Sequence, residues 1–414
     1  MKPFLNKLAR TVYRQLRAHL LHRLIPKSNA QFPEEEKPVI EVIGFFQSIS
    51  GIGESARLCA QQLAADGYRV KCVSVEDWFR KPVEIAWHWP ANDLERDCQC
   101  RIFHLNPPML PTAILQMGIK KFRQTYNIGY WAWELEIIPR EWVNALNYMN
   151  AIFTPSTFTT NVIQGYTRIP VLTVTHPVAT DAPTAGIRGR LGIDEDAFLI
   201  SNIFSFGSAM ERKNPQALVH AFTQAFSPDD RAYLILKANS GADSTEKQQL
   251  LALMSLHPNI QLIDQNWSRA DILGLLHTSD IYASLHRSEG FGLTIAEAML
   301  LDTPTLVTAW SGNMDFCNQD NSFLVPYHAQ AVCSAHPEFN GLTNAHWAEA
   351  DANAAAQWLK KIFLDSALAS SKGKLCAQQM RDCIAANKYQ FALEKLGLYK
   401  NSGDTLKTPV PIRL

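Results

Sequence analysis

Glu289 and Glu297 stand eight positions apart, with Gly290-Phe291-Gly292-Leu293 between them. Carboxylates accept hydrogen bonds from hydroxyls. Two glycines around one aromatic residue let the backbone approach a ligand closely. A helix starting after them turns its free N–H groups on an anion of phosphate size. The residue types therefore suit a ligand both hydroxylated and anionic, such as a nucleotide-sugar; the plain alternative is a tight strand-to-helix turn with two solvated glutamates. A second turn, Trp310-Ser311-Gly312-Asn313, follows the next apolar run, Thr305 to Thr308. It favours a site, because ligands of open α/β sheets collect at the C-terminal ends of strands.

Cations come from a second stretch. Arg212 and Lys213 precede Pro215, a residue suited to a first helical turn, where the helix dipole disfavours positive charge. A diphosphate held by both cations and the helix end resolves that conflict; the other reading is a pair of solvated surface cations. In the first half, Gly51 and Gly53 follow an apolar run, but Ala56 stands where a dinucleotide fingerprint needs its third glycine, so a nicotinamide cofactor is weakly supported. Trp131, Trp133 and Glu134 lie at the end of another run. Indole faces stack on sugars and a carboxylate takes their hydroxyls, which makes the three an acceptor-binding candidate; packing in the core is the competing reading. Asp194-Glu195-Asp196 precedes a strand rather than following one, and reads as a solvated turn rather than a metal site.

The elements that must position these residues alternate strand and helix throughout, which predicts parallel, doubly wound sheets. Strands are expected at Val39–Phe46, Arg69–Val75, Cys100–Leu105, Asn127–Trp133, Ala151–Pro155 and Val171–Thr175, then at Phe198–Phe204, Ala232–Lys237, Ile260–Ile263, Asp280–Ala283 and Thr305–Thr308. Residues 183–192 read as a linker, and 344–396 as mostly helical. A chain of 414 residues is long for one core and comfortable for two. Its zero formal net charge gives no sign of nucleic-acid binding. The eight cysteines contain no Cys-x-x-Cys pair and read as reduced thiols of a cytoplasmic protein. No signal peptide is visible, and no run approaches the roughly 18 apolar residues of a membrane span. Residues 1–27 carry seven basic residues and no acidic one, with Phe4, Leu8, Val12, Leu16, Leu20 and Leu24 recurring every four positions. That is a basic amphipathic helix, suited to an anionic membrane surface or to its own domain.

The two glutamates with Gly-Phe-Gly-Leu between them, together with Arg212 and Lys213 before the earlier helix, resemble the donor site of family-4 (group 1) retaining glycosyltransferases, and among these the bacterial mannosyl- or rhamnosyl-transferases of surface-polysaccharide assembly. The resemblance spans roughly residues 39 to 390. It implies the GT-B fold, α/β with two facing Rossmann-like domains. With residues 1–37 read as helix and linker, it further implies 38–185 as acceptor domain, 186–385 as donor domain, and 386–414 as a tail crossing back to the first. The implied reaction moves a hexose from a GDP-, UDP- or dTDP-linked donor to a saccharide or lipid-linked acceptor, with retention and without a metal or other cofactor. Lys213, Arg212 and the amides of Gly290, Phe291, Gly292 and Leu293 would hold the diphosphate, Glu289 the transferred sugar and Glu297 the ribose. The loop of Gly51 and Gly53 would close on the phosphates, and Asn266 would lie near the base. His104 is a catalytic candidate, because related enzymes often carry a histidine near that position. The competing classes are a hydrolase using the glutamates as acid and base, which leaves Arg212, Lys213 and the glycine turns without a role; a non-catalytic nucleotide-sugar-binding partner of an assembly complex; and a sugar-phosphate synthase or epimerase on the same fold.

Overall fold

Strands buried on both faces read as continuous apolar runs, and Cys100–Phe103, Ala151–Thr154, Ile281–Ser284 and Thr305–Thr308 are buried at every position. The computed structural model describes residues 25–27, 38–90, 98–239, 245–255, 257–334, 336–339 and 341–398. The first sheet contains β1 (Val39–Gly44), β2 (Arg69–Ser74), β3 (Cys100–Phe103), β4 (Tyr126–Tyr130), β5 (Ala151–Thr154) and β6 (Val171–Thr173), in the spatial order β2-β1-β3-β4-β5-β6. The second contains β7 (Phe198–Ser205), β8 (Ala232–Asn239), β9 (Ile260–Asp264), β10 (Ile281–Ser284), β11 (Thr305–Thr308) and β12 (Ser322–Val325), in the order β12-β11-β10-β7-β8-β9. Neighbouring strands are parallel in both sheets. The winding reverses between β1 and β3 in the first sheet and between β7 and β10 in the second. Crevices at such reversals are where doubly wound sheets bind ligands.

The expected two-domain doubly wound architecture is present, with β12 as a strand beyond the five expected in the second sheet and with two further departures. First, residues after 344 do not pass directly into helix. β13 (Tyr327–Ala331) and β14 (His346–Ala350) form an antiparallel hairpin, and the helix Ala352–Leu364 follows. In β14, Trp347, Ala348 and Ala350 are buried, while β13 is exposed along its whole length. Second, the expected linker at 183–192 contains a short helix, Ile187–Leu191. Arg188 ties it down by donating to the carbonyls of Ala197 and Thr278 and by pairing with Asp280 at 2.8 Å.

Each sheet has its own apolar core, and the chain links the two twice. After the 21-residue helix Ser366–Ala386, the last described helix, Tyr389–Lys395, returns to the first sheet. There Tyr389 and Leu393 pack in one cluster with Ala56, Cys59 and Phe153. Ile25 is buried in the first domain's aromatic core, whereas the amphipathic stripe Phe4–Leu24 lies outside the described residues. No described helix is long and apolar enough to cross a membrane. The eight cysteines are unpaired. Asp194 and Asp196 face Arg231 at the surface.

Candidate active site

β7 ends at Ser205, and a short turn delivers the helix Met210–Lys213. Asn214 then adopts a left-handed conformation, φ 51°, so that Pro215 can begin the next helix in a new direction. This kink holds Arg212 and Lys213 at the reversal point of the sheet. From the neighbouring strand, β10, the chain passes through His286 and Glu289 to Gly292, whose φ of +98° opens the helix Leu293–Leu300. No side chain caps that helix start, so its first N–H groups are available to an anion.

The two stretches meet at Glu289. Lys213 Nζ lies 2.5 Å from Glu289 Oε1, and Arg212 Nη1 lies 3.3 Å from Glu289 Oε2. Arg212 also donates to the Ser288 carbonyl at 2.9 Å, and a backbone bond from Arg287 N to Arg212 O fixes the two loops together. Burial alone would push the Glu289 carboxyl upward. Lys213 and then Arg212 outweigh it and hold the group down at about 2, so Glu289 stays ionised. Ser311 Oγ accepts from Glu289 N at 2.8 Å, and Gly312 N donates to Glu289 O at 2.9 Å. A Cβ on Gly312 would fall 2.3 Å from the Gly290 carbonyl, so the second glycine turn is what lets these loops touch.

The first domain closes against this cluster. Glu134 Oε1 lies 3.4 Å from Arg212 Nη2, and Ser288 Oγ donates to the Glu134 carbonyl. Ser156 Oγ donates to Gly290 O at 2.6 Å, and Thr157 N donates to Asp315 Oδ2 at 2.7 Å. Burial pushes the Glu134 carboxyl up to about 7. Arg212 opposes the rise, while Glu338 and Glu289 add to it.

Glu297 is buried on the helix Leu293–Leu300 and paired with Arg269, a partner that carries no motif of its own. Burial raises its carboxyl, and Arg269 opposes the rise. Asn266 lies exposed in the loop before that arginine. On the first domain, Ser50 caps the helix Gly51–Ala65 through Gly53 N. A Cβ on Gly53 would come within 2.6 Å of Phe45 O, whereas one on Gly51 would meet only Leu293 Cδ1, at 3.7 Å. Gly53 therefore serves its own turn, and Gly51 faces the opposing domain.

Three expectations, those for Trp131, Trp133 and His104, need correction. Trp131 and Trp133 do not offer open faces. They are 0% and 2% exposed, packed on Trp142 with ring centroids 5.8 and 4.6 Å away, and Trp133 Nε1 donates to Ile137 O. An aromatic strand end turned inward buries more apolar area than one left facing a cleft. The Phe291 ring likewise packs on His176 and Phe316, leaving its backbone as the part that meets the loop. His104 is fully buried and stacked on Tyr130, with Ser55 Oγ 2.7 Å from Nδ1. Burial, and secondarily His176, lowers its pKa well below the usual value, which fits a neutral packing residue and not an accessible catalytic acid. Of the three residues proposed for the acceptor side, Glu134 alone reaches the charged cluster.

Residues 187–334 match the family model of Glycosyl transferases group 1. No curated protein matches the chain in sequence. Among solved structures, the chain is similar to a sucrose-phosphate synthase of Thermosynechococcus elongatus, with 15% identity and a TM-score of 0.64 over 87% of this chain and 97% of that one. It is similar also to HepE of Anabaena in complex with UDP and glucose, with 15% identity and a TM-score of 0.61 over 86% and 98%. A glycosyltransferase of Rickettsia africae aligns with 15% identity and a TM-score of 0.60 over 87% and 97%. At this identity the likeness is one of fold, the GT-B arrangement of two Rossmann-like domains.

Proposed function

We propose that this protein is a retaining, metal-independent glycosyltransferase that moves a hexose from a nucleotide-sugar to a saccharide or lipid-linked acceptor in cell-surface polysaccharide synthesis, of the mannosyl- or rhamnosyl-transferase type. The observation that carries the reading is the convergence of Lys213, Arg212 and Glu289 beside an uncapped helix start at the reversal point of the second sheet. The group 1 match over this region supports it, as do the UDP and glucose bound by the Anabaena neighbour.

As the anomeric bond breaks, charge grows on the departing β-phosphate. Fixed cations and N–H donors then stabilise the transition state more than the ground state. Arg212, Lys213 and the amides from Gly290 to Leu293 supply those donors. Glu289 exchanges its ion pairs for hydroxyls of the transferred sugar, and Glu297 exchanges Arg269 for the ribose. A carboxylate held near 2 is a poor proton donor, which argues against a hydrolase with Glu289 as general acid. The amphipathic residues 1–27 would bring the enzyme to an anionic cytoplasmic membrane face, where a lipid-linked acceptor is met.

Thermal-shift titration with nucleoside diphosphates and with UDP-, GDP- and dTDP-sugars tests the reading. One base is expected to raise the melting temperature in wild type and much less in Lys213→Ala. Absence of any shift, with no release of nucleoside diphosphate from any donor, refutes it.

A further inference from the structure

The turn after β11 holds both backbone polar groups of Glu289. Glu289 N donates to Ser311 Oγ at 2.8 Å, and Gly312 N donates to Glu289 O at 2.9 Å. Ser311 does this at φ 76° and ψ −147°. Residues other than glycine rarely adopt that conformation, and they keep it only where their surroundings over-determine it.

The surroundings here are a fully buried network centred on His286 and Asn313. His286 Nε2 lies 3.0 Å from Asn313 Oδ1 and 3.4 Å from Trp310 O, while Nδ1 lies 3.0 Å from Ser284 Oγ at the end of β10. Asn313 Nδ2 donates to Thr308 O at 3.1 Å, and Thr308 Oγ1 donates to His286 O at 2.7 Å. These bonds decide where the ring carries its hydrogen. Asn313 must turn its oxygen to His286, because the flipped amide would set Oδ1 against the Thr308 carbonyl. Nε2 then faces two acceptors and carries the hydrogen, and Nδ1 of the neutral ring accepts from Ser284. Burial lowers the His286 pKa from its usual value, which favours that neutral form. The bonds close a circuit. His286 holds Asn313, Asn313 continues the turn of Ser311 and Gly312, the turn holds Glu289, and Glu289 lies three residues after His286.

Resting on the proposed glycosyl transfer, we propose that neutral His286, with its hydrogen on Nε2, is a positioning residue for Glu289: through Asn313 it pins the Ser311–Gly312 turn, and the turn sets the Glu289 carboxylate where it meets the transferred sugar. His286 touches no substrate in this scheme. Without its N–H, the buried Asn313 oxygen loses its donor, a state that folded proteins avoid. The turn then relaxes from the strained Ser311 conformation, and Glu289 shifts with it. A misplacement of about 1 Å at a reacting centre can lower a rate about 10²-fold.

The test uses the full chain and the release of nucleoside diphosphate from UDP-glucose, GDP-mannose and dTDP-rhamnose, which identifies the donor that wild type turns over. On that donor, His286→Leu, which removes the N–H, is expected to lower kcat per folded molecule by about 10–10²-fold. His286→Gln, whose amide can donate in place of Nε2, should recover most of the loss. His286→Leu added to Glu289→Gln should cost no more than about threefold beyond Glu289→Gln alone, because residues that act as a unit are not additive. Ser311→Gly, which fits the left-handed backbone without strain, removes the Oγ acceptor at the other end of the path; it should fold and lower kcat likewise. A purely structural His286 would give additive losses in the double variant, and that result overturns the proposal. So does a kcat near wild type in His286→Leu or Ser311→Gly, or a His286→Gln variant as slow as His286→Leu. Wild type that releases no nucleoside diphosphate from any donor refutes the underlying transfer reading instead, and the positioning role with it.

Discussion

The two domains present glycine turns that look alike in sequence and do different work. Gly53 is wedged against the Phe45 and Ser48 carbonyls of its own loop, and Ser50 and Arg57 stitch that loop to itself. A Cβ on Gly290 would instead meet the backbone of Trp133 from the other domain, 3.3 Å from its carbonyl, and the Gly290 carbonyl accepts from Ser156. The first glycine turn is a feature of one domain's fold; the second is where two domains touch. The same division runs through the facing aromatics and charges. The first domain contributes packing, with one carboxylate at the joint, and the second contributes the cations. A glycine pair at a strand end therefore reports a close backbone approach, and the approaching partner decides what the turn is for.

Substitutions can break this division or sharpen it. The largest effect is expected from Trp133→Ala, which empties a buried aromatic site in the first domain and should cost about 3–5 kcal/mol of stability, read by denaturant unfolding. Donor hydrolysis and acceptor transfer should fall together with it. A raised acceptor KM at unchanged stability would instead restore Trp133 as a sugar-binding face. Next come Lys213→Ala and Glu289→Gln, each expected to lower turnover on the order of 10²–10³-fold through lost charge stabilisation, with the fold retained. Near-wild-type transfer by either purified variant would remove the charged cluster from the chemistry.

Smaller effects separate the two turns. Gly53→Ala forces backbone atoms apart and should cost about 1–3 kcal/mol, seen as a lower melting temperature. Gly290→Ala meets a tighter than ordinary contact across the domains, so transfer should fall more than stability; the reverse pattern would equate the two turns.

The smallest effect is a dependence on pH. The Glu134 carboxyl, raised by burial from 4.5 to about 7, binds more protons folded than unfolded. Its contribution to stability is complete below about 4.5 and is lost as pH rises through about 7. Glu289, lowered from 4.5 to about 2, contributes in the opposite sense: its stabilisation is present above 4.5 and is lost as pH falls through about 2. The melting temperature of Glu134→Gln relative to wild type should therefore improve between pH 4.5 and 7. A flat difference across that range would separate the Glu134 charge from the stability of the joint.

Local signals carried much of this architecture. The bounds of Thr305–Thr308 are legible because a short apolar run sits between a proline and a glycine turn, and Pro215 marks the helix start that places Lys213. The meeting of Lys213 with Glu289 was legible from their shared position at strand ends, since parallel strands gather their C-termini on one edge. The aromatics were not legible in the same way. Whether Trp133 turns toward a cleft or a core depends on Trp142 and Phe339, and the second is more than 200 positions away. Glu338 and Arg269 carry no pattern at all, because a single charge in a one-turn helix or at a helix's first residue acquires meaning only from what the fold sets beside it. The hairpin β13–β14 is not legible because five-residue strands with one exposed partner lack a period long enough to compete with the helices that follow.

The return of the helix Tyr389–Lys395 to the first sheet has a temporal consequence. Tyr389 and Leu393 are fully buried against residues from the first third of the chain, so the earliest-made core is sealed last. On a ribosome, where domains generally fold as units from the N-terminus onward, β1 and its helix must wait with an apolar face uncovered until some 300 further residues have been made. The second domain can complete its own core first. The vectorial order of synthesis and the order of completion therefore run in opposite directions in this protein. A stalled nascent chain ending before Tyr389 should bind holdase chaperones through the first domain even after the second has become protease-resistant.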